Sequence, residues 1–142
     1  MNTPARSLLL LLALHCAATA ADWPMWRGPN GDGTTAESKL PLKWSITENV
    51  VWMTPLHEPG NSTPVVSKGR VFITQAIGKE RLLQCYDRAS GKLLWQQGVT
   101  EKEEYLTHKT NPACSSSPAT DGELIIVWFG SAGLHAYDFE GR

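Results

Sequence analysis

The chain has 142 residues, 42% hydrophobic and 19% charged, with a formal net charge of −1 at pH 7. That length suits one ordinary domain. Acid and base are nearly balanced and no basic patch stands out, which argues against nucleic acid as a partner.

Arg6, the apolar run Leu8 to Leu14 and the small residues Ala18-Thr19-Ala20 read as a signal peptide over residues 1–20, with cleavage before Ala21. The apolar run is too short to stay across a bilayer. Cys16 suggests a lipoprotein alternative, but His15 stands where a small residue is wanted. The mature chain is therefore expected in a periplasm or outside the cell, with no transmembrane segment.

Residues 21–60 form an N-terminal arm. Its opening, Asp22-Trp23-Pro24-Met25-Trp26-Arg27-Gly28-Pro29, is too rich in turn formers for a regular element. Asn30-Gly31-Asp32-Gly33 lacks the spaced carboxylates and distal Glu of a calcium loop, and reads as a turn. Leu42-Lys43-Trp44 and Val50 to Thr54 are β-prone. Asn61-Ser62-Thr63 matches a glycosylation acceptor, a weak signal with the host unknown.

Four strands are expected next, at Val65-Val66, Val71 to Thr74, Leu82 to Tyr86 and Lys92 to Gln96. Pro64 suits a strand's first position, where the missing N–H costs least. Between the last two strands, Tyr86-Asp87-Arg88-Ala89-Ser90-Gly91-Lys92 is a tight turn. Asp87 can accept bonds from backbone N–H groups ahead of it, and Gly91 can take a left-handed conformation. Leu93, Leu94 and Trp95 then read as a strand covered on both sides. Thr100 to Asn111 is polar and of mixed charge, a solvated loop. Leu124 to Phe129 is apolar without alternation, the pattern of a strand buried on both faces.

The order of these features repeats. Pro64 and Pro118 stand 54 residues apart, Gly69 and Gly122 stand 53 apart, and Tyr86 and Tyr137 stand 51 apart. Each time a Ser/Thr-Pro strand is followed by a glycine turn, an apolar strand and Tyr-Asp before a further glycine. The second copy carries Asp138 and Gly141 with Arg142 for lysine. A four-stranded unit recurring every 40 to 50 residues or so is the period of a propeller blade. The expected fold is all-β, an incomplete β-propeller. About two four-stranded antiparallel blades are expected, over residues 61–112 with a linking loop and, truncated, over 113–142.

Asp87, Ser90, Gly91, Lys92 and Trp95 together match Asp-x-x-Thr/Ser-Gly-Lys-x-x-Trp, and the chain so resembles the secreted bacterial quinoprotein-like (pyrroloquinoline quinone repeat) propellers. The resemblance implies a disc of seven or eight blades, of which this chain is an N-terminal piece. It implies a blade-docking role for Asp87, Gly91, Lys92, Trp95, Asp138 and Gly141, the tryptophan packing between blades. It also implies an N-terminal strand completing the last blade, for which Val50 to Thr54 is the candidate.

Functional candidates are sparse. Cys85 and Cys114 could pair in an oxidising compartment, although Cys85 takes the place of Ala136 and suits a small buried thiol. Neither has zinc-site neighbours. His57, His108 and His135 are scattered, and His135 is most simply a packed or edge residue. Inner strands line a propeller's channel, which makes His108, Asn111 and Ser115 to Ser117 the ligand-facing candidates. The resulting reading is a binding or scaffold module for proteins or a small ligand at the channel or faces. The alternative is the N-terminal part of a quinoprotein alcohol or sugar dehydrogenase. Pyrroloquinoline quinone with calcium would belong to the full-length protein, since the chain has no adjacent cysteine pair or calcium-type carboxylate set.

Overall fold

The computed structural model of the chain describes residues 21–102 and 107–142. The expected signal peptide, Arg6 and Cys16 included, lies outside them, as do residues 103–106 of the polar loop.

Two antiparallel sheets make up the fold. The first contains β1 (Val65–Ser67), β2 (Arg70–Ile77), β3 (Glu80–Asp87) and β4 (Leu93–Thr100), neighbours in that order. The second contains β5 (Ala119–Thr120), β6 (Leu124–Trp128) and β7 (Leu134–Asp138), with a 3₁₀ turn at Gly130–Ala132 between the last two. Strands β2 and β4 run several residues beyond their expected ends. In β2 the extension is possible because buried Gln75 finds partners, its amide donating to the Glu58 and Thr74 carbonyls at 3.3 and 3.2 Å. A buried amide without such partners would oppose the strand.

The two sheets are in matching register. Arg70 pairs with Asp87 and Val71 with Tyr86 in the first; Leu124 pairs with Asp138 and Ile125 with Tyr137 in the second. The core lies between them, where Val65, Phe72, Leu83 and Cys85 of the first sheet meet Ile125, Val127, Phe129 and Phe139 of the second. Phe72 and Phe139 meet edge to face, centroids 5.3 Å apart, a favoured aromatic geometry.

Two expectations are corrected. Strand β6 is buried on one face only: Ile125 and Val127 are buried, while Leu124, Ile126 and Trp128 are exposed. Its inward residues pack on the first sheet, and no described residue covers the outward ones. Leu93 and Leu94 are likewise exposed, because β4 is the edge of its sheet. Val50 to Thr54, expected to complete a blade whose other strands lie outside this chain, pairs with no described strand; side chains hold it, as shown below.

The arm does reach the innermost strands. Trp23 and Val66 exchange both backbone bonds, at 2.7 and 2.9 Å, and the Thr120 N–H donates to the Pro24 carbonyl at 2.8 Å. The Asp22 carboxylate accepts the Ser67 hydroxyl at 2.8 Å and the Lys68 N–H at 3.2 Å. Asp22 to Pro24 therefore covers the open edge of β1 and ties it to β5, a common protection for an edge strand. Asn30 to Gly33 is a turn, with Asp32 accepting the Thr34 N–H and hydroxyl.

Candidate functional site

The first Tyr-Asp turn receives the N-terminal arm, and the second joins the two sheets. In the first, the Asp87 carboxylate accepts the Ser90 hydroxyl at 2.6 Å and the Ser90 N–H at 2.8 Å, and these bonds hold its pKa below the ordinary value. The Gly91 N–H donates to the Asp87 carbonyl, and the Asp87 N–H to the Lys92 carbonyl. Lys92 thus closes the turn through its backbone, and its side chain is exposed. In the second turn Asp138 accepts the Arg142 and Glu140 N–H groups, each at 2.9 Å, and its carboxyl is lowered too, chiefly by the Arg142 bond.

Each turn carries a tryptophan from an earlier segment. The Trp95 indole N–H donates to the Phe139 carbonyl at 2.9 Å, and its ring lies over Gly141. The Trp52 indole N–H donates to the Arg88 carbonyl at 2.8 Å, and its ring lies over Gly91. Arg88 and Phe139 both directly follow the turn aspartate, so the two contacts are the same latch used twice. Gly91 has φ +70° and Gly141 φ +83°, a region where side chains are rare. Close approach adds a second constraint: a Cβ on Gly141 would come 2.9 Å from Trp95 Cδ2, and one on Gly91 would enter the Trp52 ring. The Thr54 hydroxyl donates to the Gly91 carbonyl at 2.8 Å, fixing the segment that bears Trp52.

The sequence implies packing between blades for Trp95 and gives Trp52 only a place in the β-prone run Val50 to Thr54. A signal existed, since Val50-Val51-Trp52 has the form of Leu93-Leu94-Trp95.

The ligand-facing candidates lie in the segment that precedes β5, beside the Trp128 end of β6. His108, Asn111 and Ser115 line one cleft of about 450 Å³, with Thr107, Ser116 and Trp128. The turn is local in origin: His108 and Asn111 form a bridge, the Asn111 N–H donating to the His108 carbonyl at 2.7 Å. His108 Nδ1 pairs with the Thr110 hydroxyl at 2.7 Å, and the Ser115 hydroxyl donates to the Pro112 carbonyl at 2.7 Å. Contacts to the first sheet anchor the segment beyond it. The Thr74 hydroxyl donates to the Ser116 carbonyl at 2.8 Å, and Ser117 accepts the Thr63 N–H at 2.8 Å. Ser117 is thus a sheet-to-sheet contact. Trp128, which sequence reasoning placed only in a buried strand, is 60% exposed on the cleft wall.

His135 is packed, its Nε2 2.8 Å from the Ala132 carbonyl and its ring against Phe129 and Tyr137. Cys85 and Cys114 are free, buried thiols. Burial pushes the Cys85 thiol up to about 11, which makes it a poor nucleophile at neutral pH.

The cleft does not fit pyrroloquinoline quinone. Among the described residues no Lys or Arg lines it to meet the carboxylates of that cofactor, and burying anions without partners is costly. Among the described residues no three His, Cys, Asp or Glu side chains group to hold a metal, and no helix is long and apolar enough to cross a membrane.

A family model of the PQQ repeat, described as outer membrane protein assembly factor BamB, matches residues 43–142. No curated protein and no solved structure matches the chain.

Proposed function

The chain belongs to the PQQ-repeat β-propeller family represented by that model, and from this premise we propose that it is an exported binding module, without catalysis in these residues. It presents the cleft beside the Trp128 end of β6 to a protein or small ligand. The observation that carries this reading is convergence. His108, Asn111 and Ser115 line one cleft, and its size falls within the range of about 300 to 1,000 Å³ usual for ligand sites. The family description speaks of assembly rather than turnover, in keeping with a recognition role.

Export to a periplasm or beyond rests on the leader pattern, and one detail of the arm is in keeping with it. The Ala21 nitrogen lies 2.8 Å from Glu37 Oε1. Cleavage before Ala21 would turn that N–H into an ammonium beside a carboxylate, a charge-assisted bond.

Two titrations of the full-length protein test the binding reading. Pyrroloquinoline quinone with calcium should give neither stoichiometric binding nor reduction of an artificial acceptor in the presence of alcohols and sugars. A fragment library screened by ligand-observed NMR should give hits that Asn111→Ala abolishes. Substrate-dependent turnover would move the protein into the dehydrogenase class, and hits indifferent to Asn111 would remove the cleft from consideration.

A further inference from the structure

We infer that the chain joins further copies of itself head to tail, the outward face of one copy's second sheet packing on the outward face of the next copy's first sheet.

The joint is already seen once, inside the chain. There Phe72, Leu83 and Cys85 of the first sheet are buried against Ile125 and Val127 of the second. Trp95, Val99 and Tyr137 pack on this core, and Pro118 is fully buried.

The receiving half of that joint recurs, unfilled, on the first sheet. The ladders align β2 with β6 and β3 with β7. Val71, Ile73 and Tyr86 therefore stand where Ile125, Val127 and Tyr137 do, and Pro64 stands where Pro118 does. Trp52 and Leu56 are spaced as Trp95 and Val99 are, and Trp52 makes the same latch. These residues, with Thr54, line an apolar hollow of about 130 Å³. It is the seat of Phe72 without its occupant, and Leu56 and Pro64 at its rim are exposed.

The inserting half recurs at the other end of the chain. By the same register Ile126, Leu134 and Ala136 stand where Phe72, Leu83 and Cys85 do, yet all three are exposed. A contiguous apolar face of this kind marks a contact surface. The backbone points the same way. Among the described residues β7 has no outer neighbour, while Val50 to Thr54 makes the contacts of a fourth strand without a sheet to join. When a second copy is laid on by the rule seen inside the chain, its Val50 to Thr54 falls beside β7 of the first. It then supplies the missing fourth strand by edge addition.

A head-to-tail contact makes a ring when its rotation closes. Each copy brings two sheets, so the ring holds an even number of them. Of the seven or eight blades that the family resemblance implies, only eight satisfies this, which takes about four copies.

Sedimentation velocity of the full chain tests the inference. A particle of about four chains is expected, its mass constant as concentration rises. Ile126→Glu spoils the inserting face and leaves the seat, and Leu56→Glu does the reverse. Both side chains are exposed, so each variant should keep the wild-type circular dichroism while sedimenting as a single chain. Mixed together, the two should form a particle of twice that mass, because one sound seat and one sound inserting face remain and no third chain can add. A wild-type chain that sediments singly at high concentration would overturn the inference and assign both surfaces to sheets of another sequence. Oligomers that persist in Ile126→Glu, or variants that fail to pair on mixing, would overturn it as well.

Discussion

Trp95→Ala should destabilise the protein by about 3 kcal/mol, the lower part of the range for truncating a large aromatic, since Trp95 is only partly buried. Three losses combine in that figure. The ring leaves Phe72, whose centroid is 6.0 Å away, and it leaves Gly141. The Phe139 carbonyl loses its indole donor. The glycine turn, shaped to receive a flat ring, faces a void that its tight hydrogen bonds prevent from collapsing. Trp95→Phe separates these losses, because it keeps an aromatic ring and removes only the N–H; about 1 kcal/mol is expected. Urea midpoints of the full-length protein measure both variants. A loss below about 1 kcal/mol for the alanine variant would remove Trp95 from its docking role.

Gly98→Ala should cost about 2 to 3 kcal/mol, although Gly98 is exposed and sits in an edge strand. Exposure alone would class the position as tolerant. However, Gly98 pairs with Leu82 across the β3–β4 ladder, and a Cβ there would run into the Arg81 carbonyl oxygen and lie 2.9 Å from Leu82 Cα. These are backbone atoms in the middle of a sheet, so they cannot rotate aside as a side chain would. The strands must part locally or shift. Gly31→Ala is the comparison, since its Cβ would meet nothing within 4 Å and only its φ of +70° opposes the change. Thermal unfolding of the two variants should place Gly98→Ala clearly lower. Equal midpoints would show that β4 gives way freely at this point.

How far the fold could be read from sequence followed the range of the interactions. The Asp87-to-Trp95 hairpin was legible because its turn is closed by atoms within five residues, Asp87 to Ser90 and Gly91. The repeat order was legible for the same reason. Burial was not. Leu124 to Trp128 is apolar at every position, so its composition cannot say which face meets a neighbour; only the packing of Ile125 and Val127 on the first sheet decides it. Val50 to Thr54 is β-prone, but its side-chain contacts were not legible: Trp52 and Thr54 bond the Arg88 and Gly91 carbonyls, which are distant in sequence. The Gly98 constraint was invisible because it depends on a strand distant in sequence. At the cleft, repeat position singled out His108, Asn111 and Ser115. That Trp128 also lines the cleft depends on the strand's sidedness, which its uniformly apolar sequence does not reveal.

The most direct test of the latched-sheet account is a nuclear Overhauser measurement from the tryptophan rings in the full-length protein. Cross-peaks are expected from Trp95 to the Gly141 α-protons and from Trp52 to the Gly91 α-protons. Both glycines should also be shifted upfield by the ring lying over them. Glycine α-protons at ordinary positions, with no cross-peaks to either indole, would contradict it and leave the first sheet without its joints to the second sheet and to the arm.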